Sequence, residues 1–154
     1  MGANASNVID ALHVVCPHCG TTNRVARGRL RERPACGSCK APLFPGHAFA
    51  LTAASFDHHV GASEVPVIVD FWAPWCGPCR GMAPAYEEAA SQLGAGVHLA
   101  KLDTEAEPEI ASRFGIRSIP TLVAFRNGRE IARQSGALGT SQLLQWIRAH
   151  AAGS

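Results

Sequence analysis

Two pairs of closely spaced cysteines near the N-terminus restrict how that region can fold more than any other feature. Cys16-Pro-His-Cys19 and Cys36-Gly-Ser-Cys39 are both C-x2-C motifs, and sixteen residues separate them. Four thiolates at this spacing suit a tetrahedral Zn²⁺ site. So short a segment cannot bury enough apolar surface to fold alone, whereas structural zinc contributes roughly 10–16 kcal/mol. The sequence therefore predicts a small zinc-ribbon-like module, residues 8–44, built around one structural zinc ion.

The residue pattern leaves other interpretations of these four cysteines open. They could form a second redox dithiol or two disulfides. His18 lies inside the first motif and could be a ligand, although four cysteines already complete the shell. We expect Gly20 and Gly37 to allow the tight bends at the cysteine pairs. The remaining histidines are expected to be ordinary surface groups.

The character of the chain changes near residue 45. The first 47 residues carry six basic and two acidic residues, a net charge of +4, whereas the rest carries eight basic and ten acidic residues, a net charge of −2. Pro42, Pro45 and Gly46 lie at this change. Proline and glycine in such a position are typical of a linker. We expect a linker near residues 42–48 and a second unit over residues 48–152.

The second unit alternates between strand and helix patterns. Val65 to Trp72 is a nearly continuous apolar run, which indicates a strand covered on both faces in an α/β sheet. Asn127-Gly128 favours a two-residue hairpin turn. The other expected strands lie at 49–51, 97–102, 121–125 and 130–134. Four helices are expected: one capped by Thr52, one from about 78 to 93 that contains Pro84, one through 109–114, and one that begins at Thr140. The predicted order is β-α-β-α-β-α-β-β-α.

A third C-x2-C motif, Cys76-Gly-Pro-Cys79, lies between the predicted central strand and the helix after it. A cysteine at a helix N-terminus meets unpaired backbone N–H groups and the positive end of the helix dipole, which stabilise a thiolate. Lowering a thiol pKa from about 8.5 to about 7 raises the thiolate fraction roughly sixteenfold, but the accompanying loss of nucleophilicity leaves only a few-fold gain. Fast exchange would therefore also need an accessible first sulfur and a second cysteine within reach.

Two stretches of the second unit resemble a known family. Val67-Ile-Val-Asp-Phe-Trp-Ala-Pro-Trp-Cys-Gly-Pro-Cys79 is similar to the active-site segment of thioredoxins, and Phe114-Gly-Ile-Arg-Ser-Ile-Pro-Thr121 resembles their second signature. The similarity covers about residues 48–152. With four further cysteines upstream, the whole chain most resembles the zinc-containing bacterial branch called thioredoxin 2. The resemblance implies a thioredoxin fold, a central mixed sheet flanked by helices, beside the zinc module.

The resemblance also implies roles for the dithiol and the loop opposite it. Cys76 corresponds to the nucleophile and Cys79 to the resolving thiol; the alternative is a structural pair or a pair of metal ligands. Pro120 corresponds to the family's cis proline, which would leave the backbone of Ile119 free to pair with an extended substrate and would keep metal away from the thiols. The alternative for Pro120 is an ordinary turn proline.

Further roles follow from the same resemblance. Asp70 lies in an apolar strand, where burial raises a carboxyl pKa, and it would accept the proton of Cys79; the alternative is a strand-end or surface acid. Lys101 corresponds to the lysine that tunes this acid, or is a solvated surface lysine. The residues expected to contact substrate are Trp75, Gly77, Pro78, Ile119 and Gly136. Packing alone is the alternative for Trp75.

The function implied by the resemblance is reduction of protein disulfides through a redox-active disulfide, with no bound organic cofactor. The implied partners are disulfide-containing client proteins and an NADPH-dependent flavoprotein, thioredoxin reductase. The chain itself is expected to be a monomer. One alternative is a zinc-regulated redox chaperone or client-binding adaptor. Another is an oxidase or isomerase of the same fold, against which stands the Gly77-Pro78 pair, as found in the reducing members.

Composition argues against several other functional classes of protein. Mean hydropathy is near zero and no apolar run is long enough to span a bilayer, so no membrane role is expected. A signal peptide begins with a positively charged region, but no Lys or Arg precedes Val15. This favours the cytoplasm as the location. Five arginines lie between residues 24 and 33, but no aromatic residue is among them for base stacking. Nucleic-acid binding is therefore not expected, and a solvated face or a docking site for an acidic partner is.

Overall fold

The computed structural model describes residues 10–151 and contains two sheets. The N-terminal module holds an antiparallel hairpin of β1 and β2, and the second unit holds a five-stranded sheet in the order β3-β5-β4-β6-β7. The strands are β1 Ala11–Val15, β2 Thr22–Ala26, β3 Phe49–Ala50, β4 Val67–Trp72, β5 His98–Asp103, β6 Thr121–Arg126 and β7 Arg129–Ser135. The helices are α1 Ala53–Ala62, α2 Gly77–Leu93, α3 Pro108–Arg113 and α4 Thr140–Ala151.

The order of elements in the second unit is the predicted one. Strand β4 lies at the centre of the sheet, parallel to β5 and antiparallel to β6, so the sheet is mixed. Because successive side chains of a strand point to opposite faces, β4 buries Ile68 against the core beneath α2 and α4 and buries Val69 against the core beneath α1 and α3. The thioredoxin fold expected from the sequence is confirmed.

Local chemistry sets the ends of these elements. Thr52 is the N-cap of α1, and its backbone N–H donates to Ser55 Oγ at 3.0 Å. Asn127 and Gly128 have φ values of 52° and 80°, as a two-residue turn between twisted strands requires. Gly94 ends α2 with φ of 60°. The hairpin turn predicted from Asn127-Gly128 is therefore confirmed.

The segment expected to be a linker is packed. Leu43 is fully buried in a core that joins Val14 of the module to Val65 of the second unit, and the Leu43 N–H donates to the carbonyl of Pro34. Phe44 packs against the same core. Pro42 and the Pro45-Gly46 pair indicate a change of direction here, but Leu43 and Phe44 between them are packed at the contact between the two units. The linker expected near residues 42–48 is therefore not a free segment, because Leu43 and Phe44 within it are packed.

Hydrogen bonds also join the module to the second unit. The Glu64 N–H donates to the carbonyl of His13 at 2.7 Å, and the His13 N–H donates to Glu64 Oε1 at 2.7 Å. The Nε2 atom of His58, on α1, lies 2.9 Å from the carbonyl oxygen of Gly20, the residue directly after the first cysteine pair. The module therefore contacts the end of α1 and the residues that follow this helix.

Two histidines that were expected at the surface are buried beside this joint. His59 is 4% exposed and His98 is 2% exposed. His98 Nε2 donates to the carbonyl of Leu43 at 2.7 Å, which leaves Nδ1 as an acceptor 3.4 Å from His59 Nε2. Burial lowers the pKa of His59 to about 3 and that of His98 to about 4. The expectation that both were surface groups was wrong.

The buried pair predicts sensitivity to acid. The unfolded chain takes up a proton near pH 6.5, whereas folded His98 resists protonation down to about pH 4, so this group's contribution is complete above pH 6.5 and is lost as the pH falls. The difference corresponds to a loss on the order of 3 kcal/mol. In His98→Gln the side chain keeps a hydrogen-bond donor for the carbonyl of Leu43 but does not titrate. The free energy of unfolding of this variant should therefore decrease less as the pH falls.

Urea unfolding of the wild type, His98→Gln and the exposed control His47→Gln at pH 7 and pH 4.5 measures this effect. The wild type and the control should lose stability together, and His98→Gln should lose less. An equal loss in all three proteins would contradict the assignment of acid sensitivity to the buried pair.

Candidate functional site

The Cys76–Cys79 pair lies where β4 meets α2. Cys76 is the N-cap residue of α2, and the two cysteines are joined as a disulfide with their Cα atoms 5.3 Å apart. The Cys79 N–H donates to Cys76 Sγ at 3.2 Å. Residue Cys76 is 4% exposed and Cys79 is 2% exposed. An N–H donor and the helix dipole therefore both favour negative charge on Cys76 once the disulfide is reduced.

The loop before β6 forms the opposite wall of the dithiol. The Ile119–Pro120 peptide bond is cis, and the carbonyl oxygen of Ile119 lies 3.8 Å from Cys76 Sγ. The Gly136 N–H donates to the carbonyl of Pro120 at 2.9 Å, and Gly136 has a φ of 97°. The cis proline expected from the resemblance is present, and the structure brings Ile119, Pro120 and Gly136 together beside Cys76.

The residues adjoining Cys76 in the sequence are exposed. Trp75 is 66% exposed, the highest value among the large apolar residues between positions 10 and 151. Gly77 and Pro78 are also exposed. A large aromatic side chain left in water beside a cysteine pair is typical of a surface that contacts another molecule.

A buried carboxyl group lies behind the dithiol. Asp70 is 1% exposed, and its Oδ1 has no hydrogen-bond partner among residues 10–151. By the alternation along β4 it points to the same face as Ile68, the face covered by α2, which carries Cys79. Burial raises the pKa of Asp70 to about 7, and the positive charge of Lys101 opposes part of this rise.

Lys101 lies beside Asp70 in the sheet. The two residues are register partners on the parallel strands β4 and β5, and Lys101 Nζ lies 4.5 Å from the centre of the Trp72 ring. Tyr86, which the sequence analysis missed, lies fully buried on α2 with its hydroxyl 3.1 Å and 2.9 Å from the carbonyl oxygens of Ile68 and Ala100. A tyrosine in the apolar row of a helix is the signal that could have indicated it.

The buried carboxyl predicts a stability effect. The unfolded chain releases this proton near pH 3.8 and the folded protein near pH 7, so the contribution of Asp70 is most favourable below pH 4 and is lost as the pH rises to 7. The difference between these two pKa values corresponds to at most about 4 kcal/mol in the free energy of unfolding. Asp70→Asn should therefore unfold at higher denaturant concentration than the wild type at pH 8, with little difference at pH 4.

Urea unfolding at the two pH values measures the effect, with the exposed substitution Glu105→Gln as control. A constant difference between Asp70→Asn and the wild type at pH 4 and pH 8 would show that the carboxyl does not titrate in this range.

The four N-terminal cysteines form a compact cluster. Their sulfur atoms all lie within 4.8 Å of one another, with Cys16 and Cys39 at 3.7 Å and Cys19 and Cys36 at 3.6 Å. Four sulfurs at about 2.3 Å from a tetrahedral Zn²⁺ would lie about 3.8 Å apart. The donor set and its spacing therefore fit zinc.

The two cysteine pairs have matching backbone geometry. The Gly20 N–H donates to the carbonyl of Cys16 at 2.9 Å, and the Lys40 N–H donates to the carbonyl of Cys36 at 3.0 Å. Gly20 has a φ of 81° and Lys40 a φ of 69°. Lys40, not Gly37, is thus the second bend residue, so the expectation for Gly37 was wrong and that for Gly20 was right.

Asn23 on β2 supports the cluster, and the sequence analysis missed it. Its side-chain amide lies 3.5 Å from Cys36 Sγ, and its Oδ1 accepts from the Gly37 N–H at 2.8 Å. The side chain therefore fixes the second cysteine pair against the hairpin that carries the first. A single asparagine between the two cysteine pairs is too common a signal to have indicated this.

Fold and site together define a thiol-disulfide oxidoreductase, with a disulfide-spaced cysteine pair at the start of a helix. The thioredoxin family model matches residues 47–149, more than half of the chain, and a model described as the N-terminal region of thioredoxin 2 matches residues 15–41. The chain therefore belongs to the thioredoxin family and carries the zinc-ribbon cysteine cluster of thioredoxin 2 at its N-terminus.

Known proteins are similar over two thirds of this chain or more. Thioredoxin C-3 of Corynebacterium nephridii is 44% identical over 134 residues, which cover 87% of this chain and 92% of the relative. Thioredoxin 1 of Synechococcus elongatus is 45% identical over 103 residues, 67% of this chain and 96% of the relative. The solved structure of a mutant thioredoxin from Halobacterium salinarum aligns with a TM-score of 0.62 at 29% identity, covering 70% of this chain and 93% of that one.

None of the helices between residues 10 and 151 has both the length and the apolar character needed to cross a membrane.

Proposed function

We propose that the chain reduces protein disulfides through Cys76 and Cys79, and the observation that carries this proposal is their position at the start of α2. In the reduced protein, the Cys76 thiolate attacks one sulfur of a substrate disulfide. A new bond forms between Cys76 and the substrate, the substrate disulfide breaks, and the departing sulfur takes up a proton. The N–H of Cys79, 3.2 Å from Cys76 Sγ, favours the attacking thiolate.

The second step releases the substrate. The Cys79 thiolate attacks Cys76 Sγ, the mixed disulfide breaks, and the second substrate sulfur leaves as a thiol. The two electrons of the dithiol have then passed to the substrate, and the Cys76–Cys79 disulfide remains, the state present in this structure. With the two Cα atoms 5.3 Å apart, the second attack needs no large backbone movement.

Asp70 is proposed as the proton acceptor for Cys79. A carboxyl group with a pKa of about 7 can take up a proton near neutral pH, and it lies on the face of β4 beneath the helix that bears Cys79. Lys101, its register partner, would hold the pKa from rising further. We therefore expect Asp70→Asn to slow the release of substrate from the mixed disulfide while leaving substrate binding nearly unchanged.

The proposed substrate surface combines an exposed aromatic side chain with free backbone groups. Trp75 would pack against the client, with Gly77 and Pro78 at the same end of α2. The backbone of Ile119 would pair with an extended client segment, since its carbonyl lies within 3.8 Å of Cys76 Sγ. Pro120 and Gly136, joined by a hydrogen bond, hold this backbone in place.

Cys16, Cys19, Cys36 and Cys39 are proposed to hold one structural zinc ion. When bound, the ion would supply the cross-link that the small module needs in place of a large core. Cys19 is exposed, so an oxidant such as peroxide could reach the cluster. Oxidation of two thiols to a disulfide, with peroxide reduced to water, removes two of the four ligands. On this basis we propose that the cluster also responds to oxidation.

The proposed partners are disulfide-containing client proteins and an NADPH-dependent thioredoxin reductase that returns the disulfide to the dithiol. Thiolate ligands for a metal are typical of a reducing compartment, which supports the cytoplasm as the location. The zinc-regulated chaperone or adaptor is the weaker candidate, because a docking scaffold needs neither an N-capping cysteine nor a buried carboxyl behind it.

The test is the coupled reduction of insulin with NADPH and thioredoxin reductase. The full chain should support NADPH oxidation in proportion to the insulin disulfides added, and Cys76→Ser should not. The exposed substitution Ser141→Ala serves as the control and should behave as the wild type. A wild type that binds insulin without supporting NADPH oxidation would favour the adaptor.

A further inference from the structure

A groove runs along the joint between the N-terminal module and the second unit. It consists of two adjoining cavities of about 570 Å³ and 320 Å³, which share Arg33 and Phe44 as lining residues. We call it the junction groove, and its principal lining residues are Arg31, Arg33, Lys40, Phe44, Leu93 and Arg148. Residues from the module and from two helices of the second unit therefore contribute to one elongated depression.

The groove is strongly basic. Four cations line it, and none of its lining residues is acidic. Among residues 10–151, the side chains of Arg31, Arg33 and Arg148 make no hydrogen bond or ion pair. Glu32, the acid nearest in sequence, pairs with Arg29 at 3.2 Å and lines a different cavity. These guanidinium groups are thus free to bind an anionic partner.

The ends of two helices oppose this charge only weakly. The last turn of α2, through Leu93 and Gly94, lines the groove, and Arg148 lies in the last turn of α4. A helix C-terminus carries about half a negative charge. Two such ends offset only about one of the four positive charges, so the groove keeps a clear preference for anions.

Size and lining favour an extended peptide. The larger cavity alone has the volume of a small-molecule site, and the second cavity extends it along the module. Leu30, Phe44 and Leu93 give the groove an apolar floor beside its charges. Phe44, which packs on His98 with ring centres 5.0 Å apart, is the one aromatic residue that lines the two cavities, so the groove offers little surface for base stacking.

We propose that the junction groove binds an extended acidic segment of a partner protein, with its carboxylates on Arg31, Arg33 and Arg148 and an apolar side chain on the floor. Guanidinium groups bind carboxylates through paired, charge-assisted hydrogen bonds. The groove lies at the far end of α2 from Cys76, about 25 Å away along a helix of 17 residues. A partner held there leaves the dithiol open to substrate.

Fluorescence anisotropy tests the proposal with the full-length, zinc-loaded protein. The probe is a labelled peptide, Gly-Asp-Glu-Leu-Asp-Glu-Gly, and its counterpart is Gly-Asn-Gln-Leu-Asn-Gln-Gly. The variants are Arg148→Glu and the control Arg129→Glu, which change the net charge equally, and Arg129 is an exposed arginine of β7 outside the groove. Arg31→Gln tests the module side with a milder change.

The acidic peptide should bind and the amide peptide should not. Arg148→Glu should weaken binding at least tenfold, Arg31→Gln about threefold to tenfold, and Arg129→Glu less than twofold, with unfolding midpoints measured to confirm that every variant is folded. Binding should also weaken between 50 and 200 mM NaCl.

Three results would overturn the proposal. One is the absence of peptide binding up to millimolar concentration, and a second is equal weakening by Arg148→Glu and Arg129→Glu. The third is displacement of the peptide by a short oligothymidylate at matched charge with the same dependence on Arg148, which would make the groove a general polyanion site.

Discussion

Replacing Cys79 with Ser should turn the protein into a trap for its substrates. Without the second thiol, the mixed disulfide between Cys76 and the client cannot be resolved, so it should accumulate, while turnover with reductase should fall by three orders of magnitude or more. The serine hydroxyl is not nucleophilic enough to replace the thiolate near neutral pH. Incubation with an oxidised client, followed by non-reducing electrophoresis and mass spectrometry, measures the trapped species.

The matched variant is Cys76→Ser, which removes the other sulfur of the same pair. It should trap nothing, because Cys79 lies within the first turn of α2, whereas Cys76 caps the helix and faces the Ile119 backbone where the client would bind. Equal trapping by the two variants would show that either cysteine can attack, and the assignment of nucleophile and resolving thiol would have to be abandoned.

Removing one cluster cysteine should unfold the N-terminal module while the second unit keeps its structure. In Cys36→Ser, three thiolates remain, and a site that supplies roughly 10–16 kcal/mol in small zinc modules loses most of its affinity. The core of the module is small: its buried aliphatic residues are Val14, Val15, Val25 and Leu43, and Val65 of the second unit packs against three of them. Hydrogen exchange should therefore become fast over residues 10–44 and stay slow in β4 and β6.

The packed joint adds a second expectation for this variant. Because Leu43 accepts a hydrogen bond from His98 and packs against Val65, loss of the module should expose both residues and lower the unfolding midpoint of the second unit modestly. Ser38→Ala, a substitution between the same two cysteines, is the control and should keep zinc and protection. Collapse of protection in β4 together with the module would show one cooperative unit and contradict the division into two.

The sequence predicted the elements whose local signals agree with the final packing. The apolar run of β4, the Thr52 cap and the Asn127-Gly128 turn each favour the same conformation as the fold, so their positions could be inferred to within about two residues. The dithiol and the cysteine cluster were equally accessible, because cysteine spacing reports directly on covalent and metal chemistry.

What the sequence could not provide was contact between its two units. Nothing local distinguishes His98, buried against Leu43, from a histidine in water, and the prolines around Leu43 favour a free linker. The bend at Lys40 was assigned to Gly37 because glycine is the usual residue there. The junction groove also depends on this contact, since its arginines come from distant parts of the chain.

The most direct test of the proposed chemistry identifies the disulfide formed in a single turnover. The reduced, zinc-loaded chain would be mixed with excess oxidised insulin, quenched with acid, alkylated and mapped by mass spectrometry. One new disulfide is expected, between Cys76 and Cys79, with the four cluster cysteines recovered as alkylated thiols: Cys16, Cys19, Cys36 and Cys39. A disulfide within the N-terminal cluster, with Cys76 and Cys79 still reduced, would contradict it.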